Sequence, residues 1–112
     1  MNDLIRPAFY DAYHEIVPLA RKGKSKLKSD VVGPICESGD YFCRNRPLSE
    51  AGEGDYLALL SAGAYGFVMA SNYNARPLAA EILVNGRRAA VARERQAAKE
   101  IWSDDKVVAW LK

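Results

Sequence analysis

From residue 30 onward the apolar positions fall in short β-branched or aromatic runs divided by turn residues, a spacing that predicts strands rather than helices. Residues 31–35 form one such run, Ser38-Gly39-Asp40 is a turn, and residues 41–43 extend again. Residues 46–55, rich in proline, glycine and carboxylates, read as a loop. Residues 56–60 and 67–70 read as strands, and residues 72–77 as a polar loop. The clearest local signal is Asn85-Gly86, set between apolar runs at residues 80–84 and 87–91. Asn-Gly supplies the two positive φ angles that a type I′ hairpin turn requires.

The two ends read differently. Near the start, Pro7 suits the first turn of a short helix running through Phe9, Tyr10 and Tyr13, because proline has no N–H to leave unsatisfied there. Residues 14–19 read as a strand that Pro18 confines to a sheet edge. Near the end, an alanine-rich charged stretch followed by Ile101, Trp102, Val107, Trp110 and Leu111 predicts a short helix capped by Ser103 or Asp104. Six or seven short strands with tight turns predict a mainly β fold, an antiparallel sandwich or partly open barrel with short helical segments.

At 112 residues the chain has the size of a single domain, 1–112, with room for one small sandwich and none for a large catalytic barrel as well. A net charge of +2 argues against nucleic acid and against an anionic membrane as partners. The segment from Arg21 to Lys28 holds five basic residues in eight, but no aromatic residues interleave them, so a solvated loop is the better reading. No run approaches the roughly 20 apolar residues of a membrane span, and the start lacks a signal-peptide pattern, so the expected compartment is the cytoplasm. Cys36 and Cys43 fit neither a zinc knuckle nor a redox pair and read as reduced thiols. With one histidine, His14, a histidine metal site or a serine–histidine relay has little support, and His14 itself reads as structural.

Two segments could carry chemistry. In Cys36-Glu37-Ser38-Gly39-Asp40 a thiol and a carboxylate sit together at the end of an apolar run, where a strand-to-turn junction can present them to a neighbouring site. In Gly63-Ala64-Tyr65-Gly66 glycines on both sides of a tyrosine allow close backbone approach and an outward ring. Taken singly, each also fits a buried cysteine or a packed turn.

Together they are specific. Met1-Asn2-Asp3-Leu4-Ile5-Arg6-Pro7-Ala8-Phe9-Tyr10, then Gly33-Pro34-Ile35-Cys36-Glu37-Ser38-Gly39-Asp40, then Gly63-Ala64-Tyr65-Gly66 and Ser71-Asn72-Tyr73-Asn74-Ala75-Arg76-Pro77 follow in the order and spacing seen in diaminopimelate decarboxylases. The chain resembles the C-terminal β-domain of that family from residue 1 to about residue 95. The resemblance implies a pyridoxal 5′-phosphate enzyme in which a (β/α)8 barrel, absent from this chain, carries the lysine that links the cofactor and the loops that hold its phosphate. It implies a homodimer, the substrate meso-diaminopimelate and the product L-lysine. Met1 to Leu4 resembles an internal stretch of the family, and residues 93–112 depart from the family's ending.

The resemblance also implies residue roles. Cys36 would be the proton donor to the α-carbon after carbon dioxide leaves; thiols ordinarily titrate near pH 8.5 and so hold a transferable proton at neutral pH. Glu37 would face the distal ammonium of the substrate, where ornithine decarboxylases have a shorter aspartate. Arg6 and Tyr10 would form a substrate-binding pair, Arg6 engaging the distal carboxylate as a planar fork. Their spacing of four puts them on one face of a helical turn. Tyr65 would contact both cofactor and substrate. Asn72, Tyr73 and Asn74 read as loop architecture, and Cys43 has no role.

Two other functions compete: a non-catalytic module that pairs with a separate barrel chain, and the β-domain of another decarboxylase acting on ornithine, arginine or carboxynorspermidine. By itself the chain is expected to be inactive and to leave an unpaired sheet edge.

Overall fold

A computed structural model describes residues 1–20 and 25–111. The chain divides into two compact units, Met1–Ala70 and Ser71–Lys112. Its regular structure is mainly β, every strand pair is antiparallel and the helices are short, as the hydrophobic pattern predicts.

The first unit opens with α1 (Arg6–Tyr10). Pro7 sits in its first turn, and Asp11, in the left-handed region at φ 53°, ends it by donating its N–H to the Arg6 carbonyl. The helix stops short of Tyr13, which was expected within it. β1 (Ile16–Pro18) then pairs with β4 (Leu57–Leu59), with Ile16 opposite Leu59 and Pro18 opposite Leu57. β2 (Lys26–Val32) pairs with β3 (Tyr41–Ser49). Of the basic segment expected to be a loop, Lys26 and Lys28 are strand residues, and residues 21–24 lie outside the described residues. The strand expected at residues 31–35 ends at Val32, where Gly33-Pro34 breaks it. The loop expected from residue 46 begins only after Ser49.

The β2–β3 ladder is irregular. Ser29 faces Arg46 and Val31 faces Cys43, so Arg44 and Asn45 together oppose Asp30. This is a β-bulge; Asn45 lies at φ 48° and its N–H donates to Asp30 Oδ1 at 2.6 Å. The extra residue shifts the alternation of side chains. Cys43 and Leu48, five positions apart, therefore both face inward, where they meet Ile16 of β1. Val31, Phe42, Leu57 and Leu59 close this small core between the two ladders.

Residues 67–70, expected to be extended, instead contain a single 3-10 turn at Phe67–Met69. In the second unit β5 (Glu81–Asn85) pairs with β6 (Arg88–Arg93). The hairpin stands where it was expected, but its turn is displaced by one residue. Asn85 pairs with Arg88, so Gly86 and Arg87 are the central residues, and only Gly86 has a positive φ, 58°. A positive φ at the first central position alone is the requirement of a type II′ turn, not type I′. Gln96 closes the unit: its Oε1 accepts from Asn72 Nδ2 at 2.6 Å and from the Leu78 N–H at 3.0 Å. Asn74, at φ 60°, bends the Tyr73–Ala75 turn. Asn72 and Asn74 thus have architectural work here. The expected C-terminal helix is replaced by two 3-10 turns, Ala98–Glu100 and Ala109–Leu111. Ser103 does not start a helix but closes one, donating from its hydroxyl to the Glu100 carbonyl at 3.2 Å. No described helix is long and apolar enough to cross a membrane.

Candidate functional site in the first unit

The segment between β2 and β3 is a loop held by its own backbone. Gly33 N–H donates to the Asp40 carbonyl at 2.8 Å, Asp40 N–H to the Glu37 carbonyl at 3.0 Å, and Glu37 N–H to the Ile35 carbonyl at 2.8 Å. Asp40 is its buried anchor: Oδ2 accepts from Ile35 N–H at 2.9 Å, and Oδ1 pairs with the main-chain nitrogen of Met1. A side chain at Gly33 would collide with that carboxylate, which explains the glycine. Arg44 adds an outer tie, donating from Nη2 to the Ser38 carbonyl at 2.7 Å while its guanidinium lies 4.1 Å from the Tyr41 ring centre. On this braced loop Cys36 is exposed, whereas Cys43 is buried, and both are free thiols. Glu37 Oε1 accepts from Gly39 N–H at 3.0 Å, which ties the carboxylate to the loop that carries Cys36.

The second half of the site comes from α1 and the loop after β4. Arg6 and Tyr10 are the first and last residues of α1. Tyr10 meets Phe9 edge to face, ring centres 4.8 Å apart. The Arg6 guanidinium carbon lies 5.6 Å from the centre of the Tyr65 ring, within the range of a cation–π contact. Tyr65 is 63% exposed and held at φ 62°. A left-handed conformation for a bulky aromatic residue costs about 1–2 kcal/mol, and such strain persists where the surroundings enforce it. Of the two flanking glycines only Gly66 is needed for space, since a Cβ there would run into the Ala62 carbonyl, while one at Gly63 would meet nothing within 4 Å.

Thus Cys36 and Glu37 share one loop, Arg6 touches Tyr65, and Tyr10 stands one helical turn from Arg6 on α1. The Met1–Asp40 pair ties the strand of chain leading into α1 to the Cys36 loop. Sequence reading missed Asp40 as an anchor. Nothing in its local pattern separates a buried carboxylate from an ordinary turn aspartate.

An exposed thiol, a fixed carboxylate and an arginine on a strained tyrosine, all borne on a small antiparallel domain, define a class. The chain belongs to the pyridoxal-dependent decarboxylase family, as its C-terminal sheet domain; the family match covers residues 1–63. Within that class it is similar to the diaminopimelate decarboxylase of Zymomonas mobilis, 49% identical over 99% of this chain and 26% of the relative. It is also similar to that of Aquifex aeolicus, 53% identical over 86% of this chain and 23% of the relative. Among solved structures, diaminopimelate decarboxylase from M. jannaschii in co-complex with L-lysine superposes with a TM-score of 0.92 at 39% identity, covering 100% of this chain and 26% of that one. The Helicobacter pylori enzyme complexed with L-lysine gives a TM-score of 0.83 at 40% identity, covering 92% of this chain and 25% of that one. The chain therefore spans about a quarter of the length of the relatives it matches.

Proposed function

We propose that residues 1–112 act as one C-terminal β-domain of a diaminopimelate decarboxylase, converting meso-2,6-diaminopimelate to L-lysine in the cytoplasm as a homodimer. The observation that carries this reading is the exposed Cys36-Glu37 pair together with the Arg6–Tyr65 contact, on a chain 49% identical to such an enzyme over nearly its whole length. Glu37, where ornithine decarboxylases have an aspartate, favours diaminopimelate over shorter substrates.

The residues fit a cofactor borne on another surface, because the Tyr65 ring and the Cys36 thiol are both exposed and available to one. Pyridoxal phosphate, when bound, supplies the sink for the electron pair released with carbon dioxide. The (β/α)8 barrel that holds most of the cofactor, including the lysine that links it, lies in the part of the enzyme outside this chain. Diaminopimelate has two amino-acid ends, and one must be gripped while the other reacts. Arg6 can take the distal carboxylate through two parallel N–H bonds, with Tyr10 one helical turn away on the same face. Glu37, with Oε1 accepting from Gly39 N–H, faces the distal ammonium in this reading. Tyr65 lies against Arg6 and bounds the cofactor side. Cys36 holds a proton on Sγ and delivers it to the α-carbon once carbon dioxide has left.

Assay of lysine and carbon dioxide release tests the reading in two arms. The isolated chain with added cofactor should give no turnover, and the chain joined to a barrel of the family should give turnover that depends on Cys36. Activity on ornithine exceeding that on diaminopimelate would reject the substrate assignment.

A further inference from the structure

The one histidine of the chain sits where the two halves of the Arg6–Tyr65 contact are joined. His14 is 2% exposed. Its Nδ1 lies 3.0 Å from the Leu60 carbonyl, and Leu60 N–H donates to the Glu15 carbonyl at 2.8 Å. Both polar main-chain groups of Leu60 are thus taken by residues 14 and 15. Leu60 immediately precedes Ser61, which lies at φ 56°, in the loop that carries Tyr65. On its other side His14 follows Tyr10 by four positions, on the chain leaving α1. A third element holds the histidine itself. Arg46 donates from Nη1 to the His14 carbonyl at 2.5 Å, with its guanidinium 4.4 Å from the Tyr13 ring centre. Arg46 reaches inward because the bulge at Asn45 shifts the alternation of β3.

A second observation separates this arrangement from ordinary packing. His14 Nε2 is buried and has no hydrogen-bond partner among the described residues. An unsatisfied ring nitrogen costs free energy, and an apolar side chain of similar shape would avoid that cost. What an imidazole supplies, and leucine cannot, is a directed bond to the Leu60 carbonyl at the end of the β1–β4 ladder, between the chain leaving α1 and the loop that carries Tyr65.

We propose that His14, gripped by Arg46, is a positioning residue that sets Arg6 against Tyr65 and so shapes the side of the site that receives the distal part of the substrate. The assignment of that substrate site rests on the function proposed above; the clasp itself does not.

The experiment has one arm for each. In the 112-residue chain, ring-current shifts of the Arg6 side-chain protons report the contact, with Tyr65→Leu giving the shift in its absence. His14→Leu should lose more than half of that shift, with a melting temperature within about 5 °C of the parent. His14→Asn, whose amide nitrogen can replace Nδ1 as donor, should keep most of it. Should His14→Leu fail to fold, Arg46→Met, which keeps an unbranched apolar stem but removes the guanidinium that donates to His14, should lose the shift in the same direction. A full shift in His14→Leu, or in Arg46→Met where that variant is used, overturns the clasp, as does a loss in His14→Asn as large as in His14→Leu. In the assembled decarboxylase, His14→Leu should raise KM for diaminopimelate by roughly tenfold with kcat within about twofold, and Asn should restore it. Mere destabilisation would lower the active fraction and leave KM alone. A lost contact with an unchanged KM would reject the substrate role of Arg6 and Tyr65 and leave the clasp standing.

Discussion

The guanidinium of Arg6 and the ring of Tyr65 meet at 5.6 Å, although they come from opposite ends of the first unit and neither is in a regular strand. The contact gives the arginine one fixed wall, so that its planar fork is oriented before a ligand arrives, which lowers the cost of forming two parallel bonds to a carboxylate. Arg6→Lys keeps the charge but loses the fork. In an enzyme containing this domain, KM for diaminopimelate should rise about tenfold, equivalent to about 1.4 kcal/mol of lost binding, with a smaller change in kcat. Steady-state kinetics on the parent and the variant checks this, and an unchanged KM would remove Arg6 from the substrate site.

The two thiols should differ sharply in reactivity. Cys36 is exposed on its loop, and Cys43 is 4% exposed in the core beside Ile16 and Leu48. Brief treatment of the folded chain with iodoacetamide should add one equivalent at Cys36, and denaturant should release the second at Cys43; peptide mass spectrometry assigns each. In the assembled enzyme, Cys36→Ala should lower kcat by roughly 10²–10⁴-fold, the usual range for loss of a positioned proton donor, with KM nearly constant. Cys43→Ala should instead cost stability through the small cavity it leaves.

The pattern of legible and illegible features has a physical basis. The Cys36-Glu37 loop and the Gly63–Gly66 loop were readable because their residue types are set locally, by turn chemistry and by the chemistry they present. The hairpin was readable because Gly86 can adopt its φ of 58° without strain. β3 was not readable as a strand to Ser49, since Arg44, Asn45, Arg46 and Pro47 all disfavour one. Its extension depends on pairing with Lys26–Ser29, equally polar, and such pairing is a tertiary event. Arg46 against His14 was hidden for the same reason, because the bulge that turns Arg46 inward has no sequence signal beyond an asparagine tolerant of positive φ. Residues 67–70, apolar enough for a strand, pair with no strand among the described residues and close instead into a 3-10 turn.

The two glycines around Tyr65 make a matched pair. Gly66→Ala places a methyl group against the Ala62 carbonyl, whereas at Gly63 the added carbon meets nothing and φ is not in the left-handed region. Gly66→Ala should therefore destabilise the chain by about 1–3 kcal/mol through forced backbone movement. Gly63→Ala should be neutral or stabilise by up to about 1 kcal/mol, because it restricts the unfolded chain. Chemical denaturation of both variants measures the difference, and equal effects would mean that the loop is not held as described.

The isolated chain should also self-associate. Each described strand belongs to a two-stranded ladder and so keeps one edge without a strand partner among the described residues, and open edges of this kind invite pairing with a second copy. The β5–β6 hairpin adds apolar surface to its open edges. Ile82 faces Val91 across the ladder and shares a face with Val84, yet Ile82 is 53% and Val84 65% exposed. Sedimentation velocity across a range of concentrations should show reversible growth beyond the monomer. Val84→Lys, a charge on the exposed face of a ladder that does not need Val84 for packing, should shift the distribution towards monomer while the hairpin's amide protection is retained. A strictly monomeric parent with a sharp melt above about 60 °C, the upper part of the mesophilic range, would show that the edges are closed by contacts within the chain and that the domain is self-sufficient.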